Sequence, residues 1–372
     1  MAPARGALHR LVSPFRTHAA LGLRPLTAPV IVFLPLGILL GPSGANLITP
    51  TALSHLDAVI SIVLATLGVF IGIAAGTQRG SVKRLMTASS VEAATTILIV
   101  GGATFILLQA WGLSSTVPAL LVALVLGLCA SASAAPAVGA GDDRGRRIAA
   151  SIADLDDVLP IIVGGVALAL IGRGGLPAVS AVGLGLGLGA TIALTGWMLF
   201  EQAEGAERDV FVLGTLMLLG GAAAYLAISP LLVGLAAGWV WVRMPGQTER
   251  VVAAHLRKVQ HPMVVLLLII AGASLRPSVA GIWLFAPYVV FRTAGKLTGG
   301  WLASRLTDHV APSDLGAYLI PPGVIGIAFA LNILQVAQQA AIPIVFAVSI
   351  GAIVSELLAV VVTPVPADPT PV

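Results

Sequence analysis

IADLDDVLPIIV, Ile152 to Val163, puts three carboxylates (Asp154, Asp156 and Asp157) into four residues and then runs into the apolar GGVALALI of Gly164 to Ile171. An ionised group at the centre of a bilayer costs roughly 2.5–3.5 kcal/mol on insertion scales. If the helix began only after Asp157, Val158 to Ile171 would give fourteen residues, about 21 Å of helix, too short for a ~30 Å hydrocarbon core. A start at Ile148 gives a full span and puts Asp157 about 14 Å deep, near the midplane. The reading of this stretch therefore decides the fold: the aspartates lie inside a membrane helix.

The rest of the chain agrees. Of its 372 residues 58% are hydrophobic and 10% charged, with a mean hydropathy of +1.02; a soluble protein carries about a quarter charged residues. Twelve apolar segments are expected: Leu26–Leu40, Leu56–Gly76, Met86–Ala110, Pro118–Val138, Ile148–Ile171, Ala178–Phe200, Val210–Ala227, Ile228–Val242, Pro262–Leu275, Ala280–Ala303, Leu315–Leu334 and Ala341–Pro364. The reading is an all-α polytopic membrane protein with about 12 transmembrane helices. Residues 1–25 form a basic tail, 26–364 the transmembrane domain and 365–372 a short tail. The longest loop is expected at Arg243 to Gln260, mixed in charge and amphipathic. The run after the basic tail lacks an A-x-A-like cleavage site, so it reads as an uncleaved first helix.

A net charge of +4 and a pI near 9.7 could suggest nucleic acid, but the placement of the cations argues for topology. With the N-terminus in the cytoplasm, sixteen Lys and Arg fall in inner segments and two, Arg173 and Arg276, in outer ones. Both termini are then cytoplasmic, in the cell inner or plasma membrane. One cysteine, Cys129, cannot make an intrachain disulfide or a thiolate cluster. No G-x-x-x-x-G-K-[ST] run occurs, which excludes a nucleotide-driven pump. GLGLGLG, Gly183 to Gly189, follows no strand and reads as helix packing. The six histidines fall in loops or at span ends and read as solvated.

Arg292 and Lys296 remain within the tenth segment. Lys296 lies roughly 10 Å from its cytoplasmic end, close to the depth of Asp156, and Arg292 is one turn away on the same face. Two other segments look interrupted. LCASASAAPAVGAG, Leu128 to Gly141, is all small residues around Pro136 with Ser131 and Ser133; LIPPGVIGIAFALN, Leu319 to Asn332, has Pro321, Pro322, Gly323 and Gly326. Interrupted helices at corresponding places in two halves point to a transporter site. They lie seven segments apart, an odd offset, which predicts inverted repeats. The Glu92 segment then pairs with the Lys296 segment, and the aspartate segment with that of Glu356. PLGILLG, Pro35 to Gly41, and PLLVGLAAG, Pro230 to Gly238, add a weak internal similarity.

Five motifs in order, LPLGILLGPSG (Leu34 to Gly44), SASAAPAV (Ser131 to Val138), DDVL (Asp156 to Leu159), GASL (Gly272 to Leu275) and RTAGK (Arg292 to Lys296), resemble the cation:proton antiporter superfamily with the NhaA-type inverted-repeat fold. The nearest branch is the Na+/H+ exchangers related to Kef-type systems. The resemblance implies two broken crossing helices, a mobile core (about 86–171 and 280–364) and a scaffold that forms a homodimer. It implies Asp157 as the main cation and proton ligand, Asp156 paired with Lys296, and Ser131 and Ser133 near the ion. Asp154, Glu356, Arg292 and Glu92 are supporting positions. No cofactor, nucleotide or nucleic acid is implied; the partners are the bilayer, protons and the transported Na+ or Li+. Three departures stand out. There is no room for the helix that many members carry before LPLGILLGPSG, Pro160 replaces an expected small residue, and no regulatory nucleotide-binding domain is expected.

The chemistry follows from burial. Two adjacent buried carboxyls cannot both ionise cheaply without a cation beside them, so a proton and a monovalent cation compete there, and antiport for pH homeostasis follows. Lys296 adds a second proton-carrying group if its salt bridge with Asp156 breaks on cation binding; two protons for one Na+ move net charge, so electrogenic exchange is expected. K+/H+ exchange is the near alternative; a bile-acid-type symporter of the same fold is further off. An intramembrane aspartyl protease has only GAGD, Gly139 to Asp142, in its favour. The protein is expected not to be an enzyme.

Overall fold

The computed structural model describes residues 28–77, 82–112, 116–133, 143–173, 175–307 and 314–362. The basic N-terminal tail, Pro136 with the rest of its small-residue stretch, GAGD and the C-terminal tail lie outside the described residues.

The described chain is helical throughout, in the order α1 (Pro29–Leu40), α2 (Pro50–His55), α3 (Asp57–Thr77), α4 (Val82–Ala110), α5 (Thr116–Leu128), α6 (Asp143–Asp156), α7 (Val158–Arg173), α8 (Gly175–Gln202), α9 (Gly205–Tyr225), α10 (Pro230–Trp241), α11 (Thr248–Ala273), α12 (Val279–Leu306), α13 (Leu315–Tyr318), α14 (Val324–Val336) and α15 (Gln338–Val362). Six of these helices are long and apolar enough to cross a membrane, and four shorter ones, including α1, α10 and α14, are also predominantly apolar. This is an all-α integral membrane protein.

Several helix pairs pack backbone to backbone. Gly68 and Gly72 on α3 face Gly234 and Gly238 on α10: a methyl on Gly234 would overlap the Ala65 carbonyl, and one on Gly68 the Leu231 carbonyl. Likewise Gly37 on α1 and Gly41 at its C-cap lie against Ile269, Gly272 and Ala273 of α11. Small residues four apart let apolar helices approach where the hydrophobic effect gives no drive between them. Around the first pair, α8, α9 and α11 close an apolar cluster that includes Val69, Leu216, Leu219 and Trp241. A second body forms around α4 and α12, with α5, α6, α13 and α15 packed on them.

Two expectations are corrected. The stretch Arg243 to Gln260 is a loop only as far as Gln247: α11 begins at Thr248 and runs unbroken through Pro262 to Ala273. Thr248 to His261 contains no Gly or Pro, and its charges sit on an exposed face while Val252 and Leu256 are buried, the pattern of an amphipathic helix. The aspartate segment is not one helix either. It breaks at Asp157 between α6 and α7. Pro160, third in α7, has no N–H to give to the carbonyl of Asp156, so the hydrogen-bond ladder is interrupted there. Among the glycines of GLGLGLG, Gly189 lies against the Val233 carbonyl and Gly185 faces the side chains of Ile228 and Val233, whereas Gly183 and Gly187 meet nothing; packing accounts for alternate positions of that run only.

Candidate functional site

Both interrupted segments unwind where they meet. α5 ends at Leu128 and α13 at Tyr318, and the residues beyond them pass each other antiparallel, with Ala132 bridged to Pro322. The Gly323 N–H donates to the Ser131 carbonyl at 3.1 Å, and the Ser133 N–H to the Pro321 carbonyl at 3.0 Å. Gly323 and Gly326 are required by this approach, because a Cβ on either would run into Ala132, Ser131 or the Cys129 carbonyl. The Gly326 N–H, in the first turn of α14, donates to Ser131 Oγ at 2.7 Å. Ser131 thus caps α14 as an N-cap residue would, but from the other segment.

Unwinding leaves carbonyls without helical partners deep in the protein, and α12 supplies donors for them. Tyr288, Arg292 and Lys296 follow at i, i+4 and i+8, along one face. The Tyr288 hydroxyl donates to the Cys129 carbonyl at 2.9 Å. The Arg292 guanidinium donates to Ile320 O at 2.6 Å, to Ser131 O at 2.7 Å and to Pro321 O at 3.2 Å. One cation therefore binds both unwound segments. The sequence offered Arg292 as a counter-charge and gave no role to Tyr288; the i, i+4, i+8 spacing was the available signal.

Lys296, one turn further along, faces carboxylates. Its ammonium is 2.8 Å from Asp156 Oδ2 and 3.2 Å from Glu92. Glu92 is fully buried, and Asp156 and Lys296 are each 1% exposed. The Thr96 hydroxyl donates to Glu92 Oε1 at 2.9 Å, a partner not singled out in the sequence. Gly295 and Gly299 make this arrangement possible, because they let α12 lie against the backbone of α4 at Thr96 and Glu92.

Asp157 sits at the break between α6 and α7, 6% exposed, with the Ser131 hydroxyl as its polar neighbour. Oδ1 of Asp157 and Oδ1 of Asp156 are both buried without a hydrogen-bond partner. Two adjacent carboxylates thus each present an unsatisfied acceptor, costly unless a proton or cation joins them.

The other candidates stand apart. Ser133 is half-buried, and its hydroxyl donates to the Pro322 carbonyl at 3.1 Å, so it belongs to the crossing. Asp154 is exposed on α6. Glu356 is half-buried on α15 and makes no salt bridge among the described residues; it interacts electrostatically with Arg292.

No protein-family model matches the sequence, and no curated protein matches it. Among solved structures, the chain is similar to the sodium proton antiporter MjNhaP1 from Methanocaldococcus jannaschii at pH 8, with a TM-score of 0.61 and 17% identity. The likeness covers 96% of this chain and 95% of that one. At this identity the likeness speaks for the fold alone: the chain shares the all-α fold of that antiporter.

Proposed function

We propose that the protein is a monovalent cation/proton antiporter, exchanging Na+ or Li+ for H+ by alternating access. One observation carries this reading: Asp156 and Asp157, adjacent and buried, each hold an unpartnered oxygen, beside the Ser131 hydroxyl and the N-terminus of α14. Carboxylate and hydroxyl oxygens suit hard cations. A proton on Asp157 and a cation between the two carboxylates each neutralise the pair, and they exclude one another. Lowering the pH should therefore raise the apparent KM for Na+.

The packing supports an inverted repeat of about twelve crossings. If α1 corresponds to α10 and α3 to α11, the glycine-mediated contact of α1 with α11 is the counterpart of that of α10 with α3. In the same scheme the contact of α4 with α6 is the counterpart of that of α12 with α15, and the crossing joins the two halves at Ala132 and Pro322. The moving unit is then α4–α7 with α12–α15, and the scaffold, which forms the homodimer, is the rest. Trp–Arg stacks at the ends of α10 (Trp239, Arg243) and α12 (Trp301, Arg305) support an inner interface there, and the Trp111–Trp283 pair an outer one. Both termini are then cytoplasmic.

The test is proton flux in proteoliposomes with an acid interior and a pH-sensitive dye. External NaCl or LiCl should alkalinise the interior with the wild type and not with Asp157→Asn. A response to KCl alone would assign the protein to K+/H+ exchange, and no cation response would refute antiport.

A further inference from the structure

We infer that Glu92 is a positioning residue of the exchange: it takes over the Lys296 ammonium when the cation binds, and so releases Asp156 to act as a ligand. The inference rests on the reading of Asp156 and Asp157 as the cation site. Glu92 is on α4, a different helix from the aspartates, and no step of competition at the aspartates themselves requires it.

Three observations carry the inference. Asp156 spends one oxygen, Oδ2, on Lys296 at 2.8 Å, while its other oxygen is unpartnered. A cation that draws Asp156 into its shell must compete with the ammonium for that carboxylate. An ammonium left alone at 1% exposure would be an unpaired buried charge, which is strongly unfavourable. Lys296 has a second carboxylate already in place, however. Glu92 is fully buried and 3.2 Å from the ammonium, and the Thr96 hydroxyl donates to its Oε1 at 2.9 Å. Both Glu92 oxygens thus accept from donors, and a small rotation of the ammonium shortens the longer contact as the shorter one opens. Gly295 and Gly299 fix the spacing by holding α12 against α4, so Glu92 travels with Lys296 whatever the aspartates do.

The role predicts a particular coupling. With Glu92→Gln the ammonium has one anionic partner and stays on Asp156, so Na+ competes less well. Na+ binding to purified protein, measured by titration calorimetry, should weaken several-fold in Glu92→Gln and recover in part in Glu92→Asp. In a Lys296→Gln background, where no ammonium needs a home, Glu92→Gln should leave Na+ affinity unchanged, because neighbours that act through one another are non-additive. In liposomes the Glu92→Gln effect should appear in KM for Na+, with kcat largely kept; a purely structural loss would lower kcat and the amount of folded protein. Thr96→Val, which removes only the hydroxyl behind Glu92, should weaken Na+ binding in the same direction and less; it serves if Glu92→Gln does not fold. Equal weakening in both lysine backgrounds, or unchanged affinity in Glu92→Gln, would overturn the role of Glu92 and leave the antiport reading standing. Absence of any Na+ or Li+ binding by the wild type would overturn both.

Discussion

Backbones approach closely in two ways in this molecule, by different physics. Where α3 crosses α10, both helices are intact, their hydrogen bonds are internal, and glycine removes the side chains in the way. Where the segments after α5 and α13 cross, the helices have come apart, and donors from elsewhere satisfy the freed groups: the two backbones themselves, Tyr288 and Arg292. The first solution is apolar and is destroyed by volume. The second is polar, is destroyed by removing a donor, and gathers buried backbone dipoles, the Ser131 and Ser133 hydroxyls and a helix cap in one place. Only the second kind of crossing lies beside Asp156 and Asp157.

Perturbations that separate the two should differ in kind. Gly234→Leu drives a branched side chain into the Ala65 carbonyl and should cost about 3 kcal/mol or more, the upper range for overpacking, seen as a large fall in melting temperature in detergent. Arg292→Met keeps the bulk and removes the donor to three carbonyls. We expect about 2 kcal/mol, together with weakened Na+ binding because Ser131 is no longer held. A loss of stability with unchanged Na+ affinity would show that the crossing and the ion site are independent. Tyr288→Phe removes one hydroxyl, from the Cys129 carbonyl, and should cost about 1 kcal/mol. The smallest effect belongs to Gly183→Ala, where a methyl meets nothing within 4 Å. It should change stability by no more than about 1 kcal/mol, in the stabilising direction of helix propensity. A large penalty there would mean that this face of α8 is covered by another molecule.

The charged residues of the candidate site were legible because charge in an apolar helix is expensive: Asp156, Asp157, Lys296 and Glu92 stand out for that reason alone. The two crossing segments were legible from Pro136, Pro321, Pro322 and the surrounding small residues. The targets of Arg292 and Tyr288 were not, because a backbone carbonyl has no residue type to read. Thr96 was hidden by being one of many hydroxyls in the membrane helices. The break at Asp157 was written in Pro160, although that proline read as a departure from the family pattern rather than as the cause of a helix end. Glycine runs were ambiguous in both directions, since Gly183 and Gly189 look alike in sequence and only Gly189 touches a neighbouring backbone. Charge also misled in one place: the cations and acids of Thr248 to Gln260 resembled a loop, while the buried Val252 and Leu256 mark one face of a helix.

The central claim is that a proton and a cation take turns at Asp156 and Asp157. Proton release on Na+ addition tests it without a membrane. Purified protein in weakly buffered detergent solution, near the pH at which exchange is half-maximal, would be mixed with NaCl and followed with a pH dye. The account predicts saturable acidification by the wild type and none by Asp157→Asn. Na+ binding that releases no proton from the wild type would contradict it.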